Sequence, residues 1–225
     1  MTDFEGFGPK VHKWFKGLEA DNSKEYFAAN RDYFEHSIRD QMEAMLTELG
    51  EQFGGEVKLF RQHRDIRFSA DKSPYKTNTY GVLRGADIAG EGLYASISAD
   101  GLIAGSGYYV MARDQLERYR EAVADDPRGR ELAKRVAKAE KTGLELWGQS
   151  LATAPRGYSK DHARIELLRR KSLTLGDRVK SGRGVDRTDA LQFVTRTWRA
   201  AAPVTGWLDE HVGSTKMPAD RPRRR

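Results

Sequence analysis

The spacing of the apolar residues changes at Gly54-Gly55, and this change limits the folds open to the chain. Before the two glycines, residues 8–53 carry apolar side chains mostly three or four positions apart, which is typical of amphipathic helices. Asp21, Asn22 and Ser23 supply capping side chains between a first helix over residues 8–20 and a second helical region. Glycine commonly follows the end of a helix, so this region is expected to end at Gly54.

After the glycines, short segments alternate polar and apolar residues. Leu93 to Ser98 alternates in this way, Ala99-Asp100-Gly101 is a hairpin turn, and a partner strand is expected up to Val110. Gly105 and Gly107 inside that strand indicate a bulge or a close approach of the backbone to another group. Helical spacing returns beyond Asp114, which we expect to cap a helix. This succession predicts an α+β fold with a mostly antiparallel sheet, N-terminal helices and further helices packed on the sheet.

Composition sets limits on the class of protein. The chain has 225 residues, enough to bury a sizeable core. It has no cysteine, which excludes disulfides, thiolate nucleophiles and Cys-ligated metals and fits a reducing compartment. The N-terminus lacks the basic start and apolar run of a signal peptide, and no apolar run approaches the ~20 residues that span a bilayer. We therefore expect a cytoplasmic protein without a membrane partner.

The net charge of +6 is concentrated at the C-terminus. Residues 216–225 contain five basic residues and one acid, a net +4, which leaves +2 for the rest of the chain. The sequence therefore predicts one domain over residues 1–215 and a disordered basic tail over residues 216–225. With a net charge of only +2, residues 1–215 lack the broad basic face of a dedicated duplex-DNA binder.

The stretch from Val57 to Gly81 is the densest in groups that bind charged ligands. Guanidinium groups bind carboxylate or phosphate with two parallel hydrogen bonds, and lysine supplies a point charge. The stretch therefore predicts an anion-recognition pocket for a phosphorylated or carboxylated small molecule. The anion-binding candidates are Arg61, Arg64, Arg67, Lys72, Tyr75 and Lys76.

Two carboxylates lie among these cations. Asp65 and Asp71 are expected to stay ionised beside basic neighbours, where they orient an arginine or act in proton chemistry, and both are catalytic candidates. Arg64, Ile66 and Phe68 alternate with polar residues, so we expect them on one side of a strand that ends before Pro74. The alternative is a structural network of ion pairs that fixes a loop and binds no ligand.

The thirteen residues RDIRFSADKSPYK, from Arg64 to Lys76, resemble a known signature. The signature RDxRFSxDKxPYK belongs to an uncharacterised bacterial and fungal family, domain-of-unknown-function family twenty-four sixty-one. The resemblance extends over nearly the whole folded chain and implies one domain, but it implies no established activity. The flanking similar segments are Asn22 to Phe27, Tyr94 to Gly107, Ala154 to Tyr158, Asp161-His162 and Leu167 to Lys171. Departures from the family pattern at Asp21, Tyr26 and Ala163 concern packing and loop shape.

One of these flanking segments suggests a second cluster. Arg156 is a further anion-binding candidate, and His162 beside Asp161 is a candidate general acid or base. The alternative is that Asp161 caps a helix holding Ile165 and that His162 lies on its surface. The five histidines are widely separated, so no metal site is predicted, and the sequence identifies no cofactor.

Three functional interpretations follow. The first is an enzyme or binder acting on a small anion, with the reaction unknown. The second is a nucleic-acid or protein interaction module that uses the basic loop and the arginine-rich tail. The third is the structural network without a ligand. The sequence leaves the oligomeric state open.

Overall fold

A computed structural model describes residues 3–85, 92–182 and 185–217. Most of the predicted basic tail, residues 218–225, lies outside the described residues. The last described residues are bound to Asp114, because the amide of Lys216 donates to Asp114 Oδ2 at 2.8 Å.

The N-terminal third is helical, as its apolar spacing predicts. Its elements are α1 (Val11–Ala20), α2 (Lys24–Ala29), α3 (Arg31–Phe34), a π-helical turn (Glu35–Arg39) and α4 (Asp40–Phe53). The Ser23 hydroxyl caps α2 by accepting from the amide of Tyr26 at 3.0 Å. Gly54 ends α4 with a positive φ of 75°, a conformation that glycine adopts without steric cost.

Six strands form one sheet in which every neighbouring pair is antiparallel. The strands are β1 (Glu56–Leu59), β2 (Asn78–Arg84), β3 (Leu93–Ser98), β4 (Gly101–Tyr108), β5 (Glu145–Trp147) and β6 (Leu173–Lys180). Their spatial order is β1-β2-β3-β4-β6-β5. The fold is therefore α+β with an antiparallel sheet, and the predicted β3–β4 hairpin is confirmed.

The remaining helices are α5 (Arg113–Ala124), α6 (Asp126–Lys141), α7 (Ile165–Leu168) and α8 (Arg187–His211). The prediction that Asp114 caps α5 is wrong. The helix begins at Arg113, and the Gln115 side chain accepts the Ala112 amide at 2.9 Å. Asp114 instead pairs with Arg118 at 2.9 Å.

The helices pack on one face of the sheet. Leu83, Ala95 and Leu102 point into a first core cluster with α1, α4 and the start of α8. Leu173 and Leu175 point into a second cluster with α5, α6 and the end of α8. Because side chains alternate across a strand, their sequence neighbours point to the opposite face. That face carries the groove described below.

The expected strand around Arg64 is absent, and this part of the chain is a loop. Strand β1 ends at Leu59 and the next strand begins at Asn78. Phe68, which the alternation placed on one side of a strand, is 96% exposed. Backbone bonds pair the two ends of the loop, where the Arg64 amide donates to the Pro74 carbonyl at 2.8 Å and the Lys76 amide to the Gln62 carbonyl at 2.9 Å. Between these ends, Asp65 accepts from the amide of Arg67 at 3.3 Å.

Candidate functional site

The loop from Arg61 to Thr77, called the signature loop below, is fixed at its base by two amide side chains. Asn22 bonds both backbone groups of Tyr75, accepting its N–H at 3.0 Å and donating to its C=O at 3.2 Å. Gln62 donates to the Lys76 carbonyl and accepts from the Thr79 hydroxyl at 3.0 Å. The Tyr75 ring stacks on Phe27 with centroids 4.1 Å apart. The base of the loop is therefore held to α2 and β2.

The charged side chains of the loop bind mainly to one another. Arg67 binds Asp65 through two hydrogen bonds of 2.9 and 2.6 Å, and Arg64 is paired with Asp71. Lys72 Nζ donates to the Ile66 carbonyl at 3.0 Å. These internal partners support the structural interpretation for Arg64, Arg67 and Lys72.

The two carboxylates are strongly acidic. The hydrogen bonds from Arg67 lower the pKa of Asp65 to about 2. The hydroxyl and amide of Ser73, followed by Arg64, hold the pKa of Asp71 well below its usual range. Groups with such low pKa values are weak bases near neutral pH. The geometry therefore favours a role in orienting arginines over a role in proton transfer.

An open polar cleft of about 450 Å³ lies beside the signature loop, and we call it the signature cleft. Its lining comprises Glu19, Asn22, Arg64, Asp71, Ser73, Tyr75, Lys76, Thr77 and Asn78. Four of the predicted site residues are thus brought together there. The others in the loop, Arg61, Asp65, Arg67 and Lys72, are not part of its lining. Its two basic side chains, Arg64 and Lys76, and its two acidic ones, Glu19 and Asp71, give the lining a formal charge of zero.

The second predicted cluster lies elsewhere. Tyr158 packs against the second core cluster, whereas Tyr75 belongs to the first. Arg156 is exposed, and His162 Nδ1 accepts the amide of Arg164 at 3.0 Å. Helix α7 begins only at Ile165, so the expectation that Asp161 caps it is wrong. Neither Arg156 nor His162 lines the signature cleft.

A larger cavity of about 550 Å³ lies on the face of the sheet opposite the core, and we call it the sheet groove. Its aromatic side chains come from strands β2, β3 and β5 and from the residues directly after β1 and β4. Phe60 stacks on Tyr80 with centroids 4.6 Å apart, and Tyr80 lies 5.7 Å from Tyr94. Tyr109 and Trp147 line the groove as well. Burial raises the pKa of Tyr80 and Tyr94, so both hydroxyls are neutral at pH 7.

Glycines form the floor of the sheet groove beneath Trp147. A Cβ at Gly176 would overlap Cζ3 and Cη2 of the Trp147 ring, and one at Gly105 would lie 3.3 Å from Cζ3. The indole Nε1 donates to Glu145 Oε2 at 2.7 Å. Gly105 also approaches the β6 backbone closely, since its Cβ would lie 2.9 Å from the Leu175 carbonyl oxygen. The close approach predicted from the glycines of β4 is confirmed, and it holds the indole in place.

The described residues that line the sheet groove carry a positive formal charge. Arg84 and Arg178 are among its lining residues, and within the described parts of the chain that lining contains no acidic residue. The Arg178 guanidinium lies 5.6 Å from the centroid of the Trp147 ring and 3.7 Å from Glu145. Lys76 lies at the edge of the groove, with Nζ 4.7 Å from the Tyr80 centroid. Lys76 thus connects the signature loop to the groove.

Sequence reasoning missed most of the groove. Tyr94 and Gly105 fall in a segment that resembles the family hairpin, but nothing in the sequence indicates that Trp147 and Arg178 lie beside them. The signal that was present is the pair of glycines inside β4. Among residues 3–85, 92–182 and 185–217, no group of three or more His, Asp or Glu side chains is placed to hold a metal ion.

Within the same ranges, no helix is long and apolar enough to cross a membrane.

These features define an α+β protein built on a six-stranded antiparallel sheet with a cationic, aromatic groove on its open face. A family model described as conserved hypothetical protein (DUF2461) matches residues 10–207. The chain belongs to this family, as the signature indicates. The match includes the signature loop and all six strands, and its description gives no activity. No curated protein matches the chain.

Proposed function

We propose that the protein binds a small phosphorylated or carboxylated molecule in the sheet groove. The observation that carries the proposal is a cavity of about 550 Å³ lined by Arg84 and Arg178, with no acidic side chain among its described lining residues. Cavities of roughly 300–1,000 Å³ are typical of small-molecule sites. The proposal keeps the ligand class predicted from the sequence but places the ligand mainly outside the signature loop, where Arg64 and Arg67 form close pairs with Asp71 and Asp65.

The signature loop contributes one cation to this site. Lys76 Nζ donates to the Arg61 carbonyl at 2.6 Å, which fixes the ammonium group above the Tyr80 ring. Burial, and then the nearby Arg61, lower the pKa of Lys76. An anion beside Lys76 would offset both effects, because it stabilises the charged form. The clamps at Asn22 and Gln62 hold this cation in place before a ligand arrives, which reduces the entropy cost of binding.

A thermal-shift screen tests the proposal. Nucleotides, sugar phosphates and dicarboxylates are added to the full chain, with and without Mg²⁺. A ligand at 100 times its Kd adds about 2.7 kcal/mol to the free energy of unfolding, so a bound anion raises Tm measurably.

Two substitutions that each remove one positive charge test where the anion binds. Arg178→Gln removes a groove cation, whereas Arg113→Gln removes an exposed cation from α5, outside the groove lining. We expect the Tm shift to be lost or strongly reduced in Arg178→Gln and to be kept in Arg113→Gln. An equal shift in both variants, or no shift from any anion, would contradict the proposal.

A second candidate function is an interaction module, and the exposed Phe68 favours it. Phe68 is 96% exposed, and the Arg67 guanidinium lies 5.9 Å from its ring. An exposed aromatic ring beside a cation suits stacking against a base of single-stranded nucleic acid.

Fluorescence anisotropy with a short single-stranded oligonucleotide tests this candidate. It predicts steep salt dependence and weaker binding after Phe68→Ser or deletion of residues 216–225, and salt-independent or absent binding would contradict it.

A further inference from the structure

We infer that the ligand of the sheet groove carries a flat aromatic ring as well as its anionic group, and that this ring packs against Tyr94 and Trp147. The inference rests on the anion site proposed above and specifies the chemical class of its ligand. Nucleoside monophosphates and aromatic carboxylic acids share this chemistry.

The strand register places two aromatic side chains on either side of two glycines. Tyr94 on β3 is the direct partner of Gly105 on β4, and Gly105 is the partner of Gly176 on β6. Trp147 on β5 covers Gly176 from the other side. The Trp147 ring also reaches Gly105, because a Cβ there would lie 3.3 Å from Cζ3, so the indole lies over both glycines. A flat ring of the ligand therefore packs against the Tyr94 and Trp147 rings, which line the groove, and not on the glycine floor.

Both aromatic side chains are held in position without a ligand. The Trp147 ring is fixed by its indole hydrogen bond to Glu145 and by its contact with the glycine floor. The Tyr94 hydroxyl has hydrogen bonds to Ser96 and Asn78. Rings that are already ordered lose little conformational entropy when they stack, and offset or edge-to-face packing between aromatic rings is favourable.

Charge complementarity identifies the second part of the ligand. The Arg178 guanidinium lies 5.6 Å from the Trp147 centroid, so a ring beside Trp147 places an attached acidic group within reach of Arg178. Arg84 lines the same groove on β2. A neutral aromatic ring would leave these cations without an anionic partner in the ligand, and an anion without a ring would leave the aromatic surface uncovered.

Isothermal titration calorimetry on the full chain tests the inference with matched probes. The ring-bearing anions are AMP, GMP, CMP, UMP, indole-3-acetate and 4-hydroxyphenylacetate. The controls are ribose 5-phosphate and succinate, which lack an aromatic ring, and adenosine, which lacks the charge. We expect at least one ring-bearing anion to bind at least tenfold more tightly than the controls. Tight binding confined to the nucleotides or to the aromatic acids identifies which source the groove accepts.

Two pairs of substitutions test whether binding needs the aromatic ring of Tyr94 and of Trp147. Tyr94→Phe and Trp147→Phe keep a ring, whereas Tyr94→Leu and Trp147→Leu remove it. We expect the leucine variants to lose at least tenfold in affinity and the phenylalanine variants to stay within about threefold. Trp147 lies at the surface on an edge strand, so Trp147→Leu provides the test if Tyr94→Leu fails to fold.

Tryptophan fluorescence gives an independent readout. The chain has four tryptophans, and Trp14, Trp198 and Trp207 are buried in the core. A ring stacked in the groove should therefore quench Trp147, and Trp147→Phe should abolish the quenching while binding persists in the calorimeter.

The outcomes separate the two proposals. If ring-free anions bind as tightly as ring-bearing ones, and Arg178→Gln abolishes both, the anion site stands and the aromatic ligand is wrong. If no probe binds the folded protein at millimolar concentration, both are wrong. Equal affinities of leucine and phenylalanine variants for a ring-bearing anion would also overturn the inference.

Discussion

At the scale of single residues, Asn22 holds the base of the signature loop from outside it. Its amide bonds both the N–H and the C=O of Tyr75, a residue 53 positions further along the chain. An amide side chain is suited to this task because it has both a donor and an acceptor. Tyr75 in turn stacks on Phe27 in the core and precedes Lys76 at the edge of the groove.

We predict that Asn22→Ala destabilises the protein by about 1–3 kcal/mol, because it leaves two partly buried backbone groups without their partners. Urea denaturation measures the change in the free energy of unfolding. Lys24→Ala, an exposed substitution on the neighbouring helix, serves as the control and should change stability by less than about 0.5 kcal/mol. Equal effects of the two substitutions would show that the Asn22 hydrogen bonds do not contribute to the free energy of unfolding.

The ionised state of Asp71 gives a prediction for the dependence of stability on pH. Its pKa is depressed in the folded state, so its stabilising contribution is present above its ordinary pKa of 3.8 and is lost as pH falls toward the folded value. We expect the stability difference between wild type and Asp71→Asn to be constant from about pH 7 to pH 5 and to shrink below about pH 4. Chemical denaturation across this range measures it.

Ser73→Ala tests whether the Ser73 hydroxyl causes the low pKa of Asp71. Because the Ser73 hydroxyl donates to Asp71 Oδ1 at 2.6 Å, its removal should raise the pKa of Asp71 toward the ordinary value. An NMR titration of the Asp71 carboxyl carbon reads this pKa. A titration midpoint that is the same in wild type and Ser73→Ala would rule out the hydroxyl as the main cause.

In the signature loop, the strand predicted from single-residue alternation was wrong. Arg64, Ile66 and Phe68 alternate as strand residues do, but alternation predicts a strand only when one face is buried. Phe68 is 96% exposed, and local side chains, among them Lys72, satisfy backbone groups of the loop. The types of charged residue were visible in the sequence, whereas their pairing with one another was not.

At the scale of elements, α1 and α2 are locked together by one tyrosine. The Tyr26 hydroxyl donates to the Trp14 carbonyl at 3.0 Å, and its ring crosses α1 at Gly17. A Cβ at Gly17 would overlap the Tyr26 hydroxyl and ring. The glycine inside α1 therefore allows a close approach of α2, and this approach brings Asn22 to the signature loop.

We predict opposite effects for the same substitution in two helices. Gly17→Ala should destabilise the protein by about 1–3 kcal/mol, because the new methyl displaces Tyr26. Gly206→Ala in α8 has no atom within 4 Å of the added Cβ, so it should stabilise by about 0.5–1 kcal/mol through helix propensity. Thermal denaturation of both variants measures the difference. Stabilisation by Gly17→Ala would show that Tyr26 does not restrict α1.

Long periodic elements were predictable and short ones were not. The helical stripe before Gly54 and the β3–β4 hairpin follow directly from apolar spacing. In contrast, β5 has three residues and α7 has four, too few for any period to be visible. Helix α8 continues to His211 although it contains Pro203, at which a helix is usually expected to end or kink.

At the scale of the whole molecule, the groove exists because the helices among residues 3–85, 92–182 and 185–217 pack on one face of the sheet and leave the other open. Helix α8 contributes Trp198 to one core cluster and Trp207 to the other. The open face then brings Tyr80, Tyr94, Trp147 and Arg178 to one cavity. Their separation in sequence explains why no local motif identifies them. The strand order β2-β3-β4-β6-β5 places them on one sheet, and this order is not visible in a single sequence.

A ¹H–¹⁵N NMR titration of the full chain, with the anion that gives the largest rise in Tm, shows whether the ligand binds in the sheet groove. If the sheet groove is the binding site, we predict that the largest shift changes fall on the amides of Gly105 and Gly176 and on the Trp147 indole. Changes confined to Asn22, Arg64 and Ser73 would instead place the ligand in the signature cleft and contradict the claim.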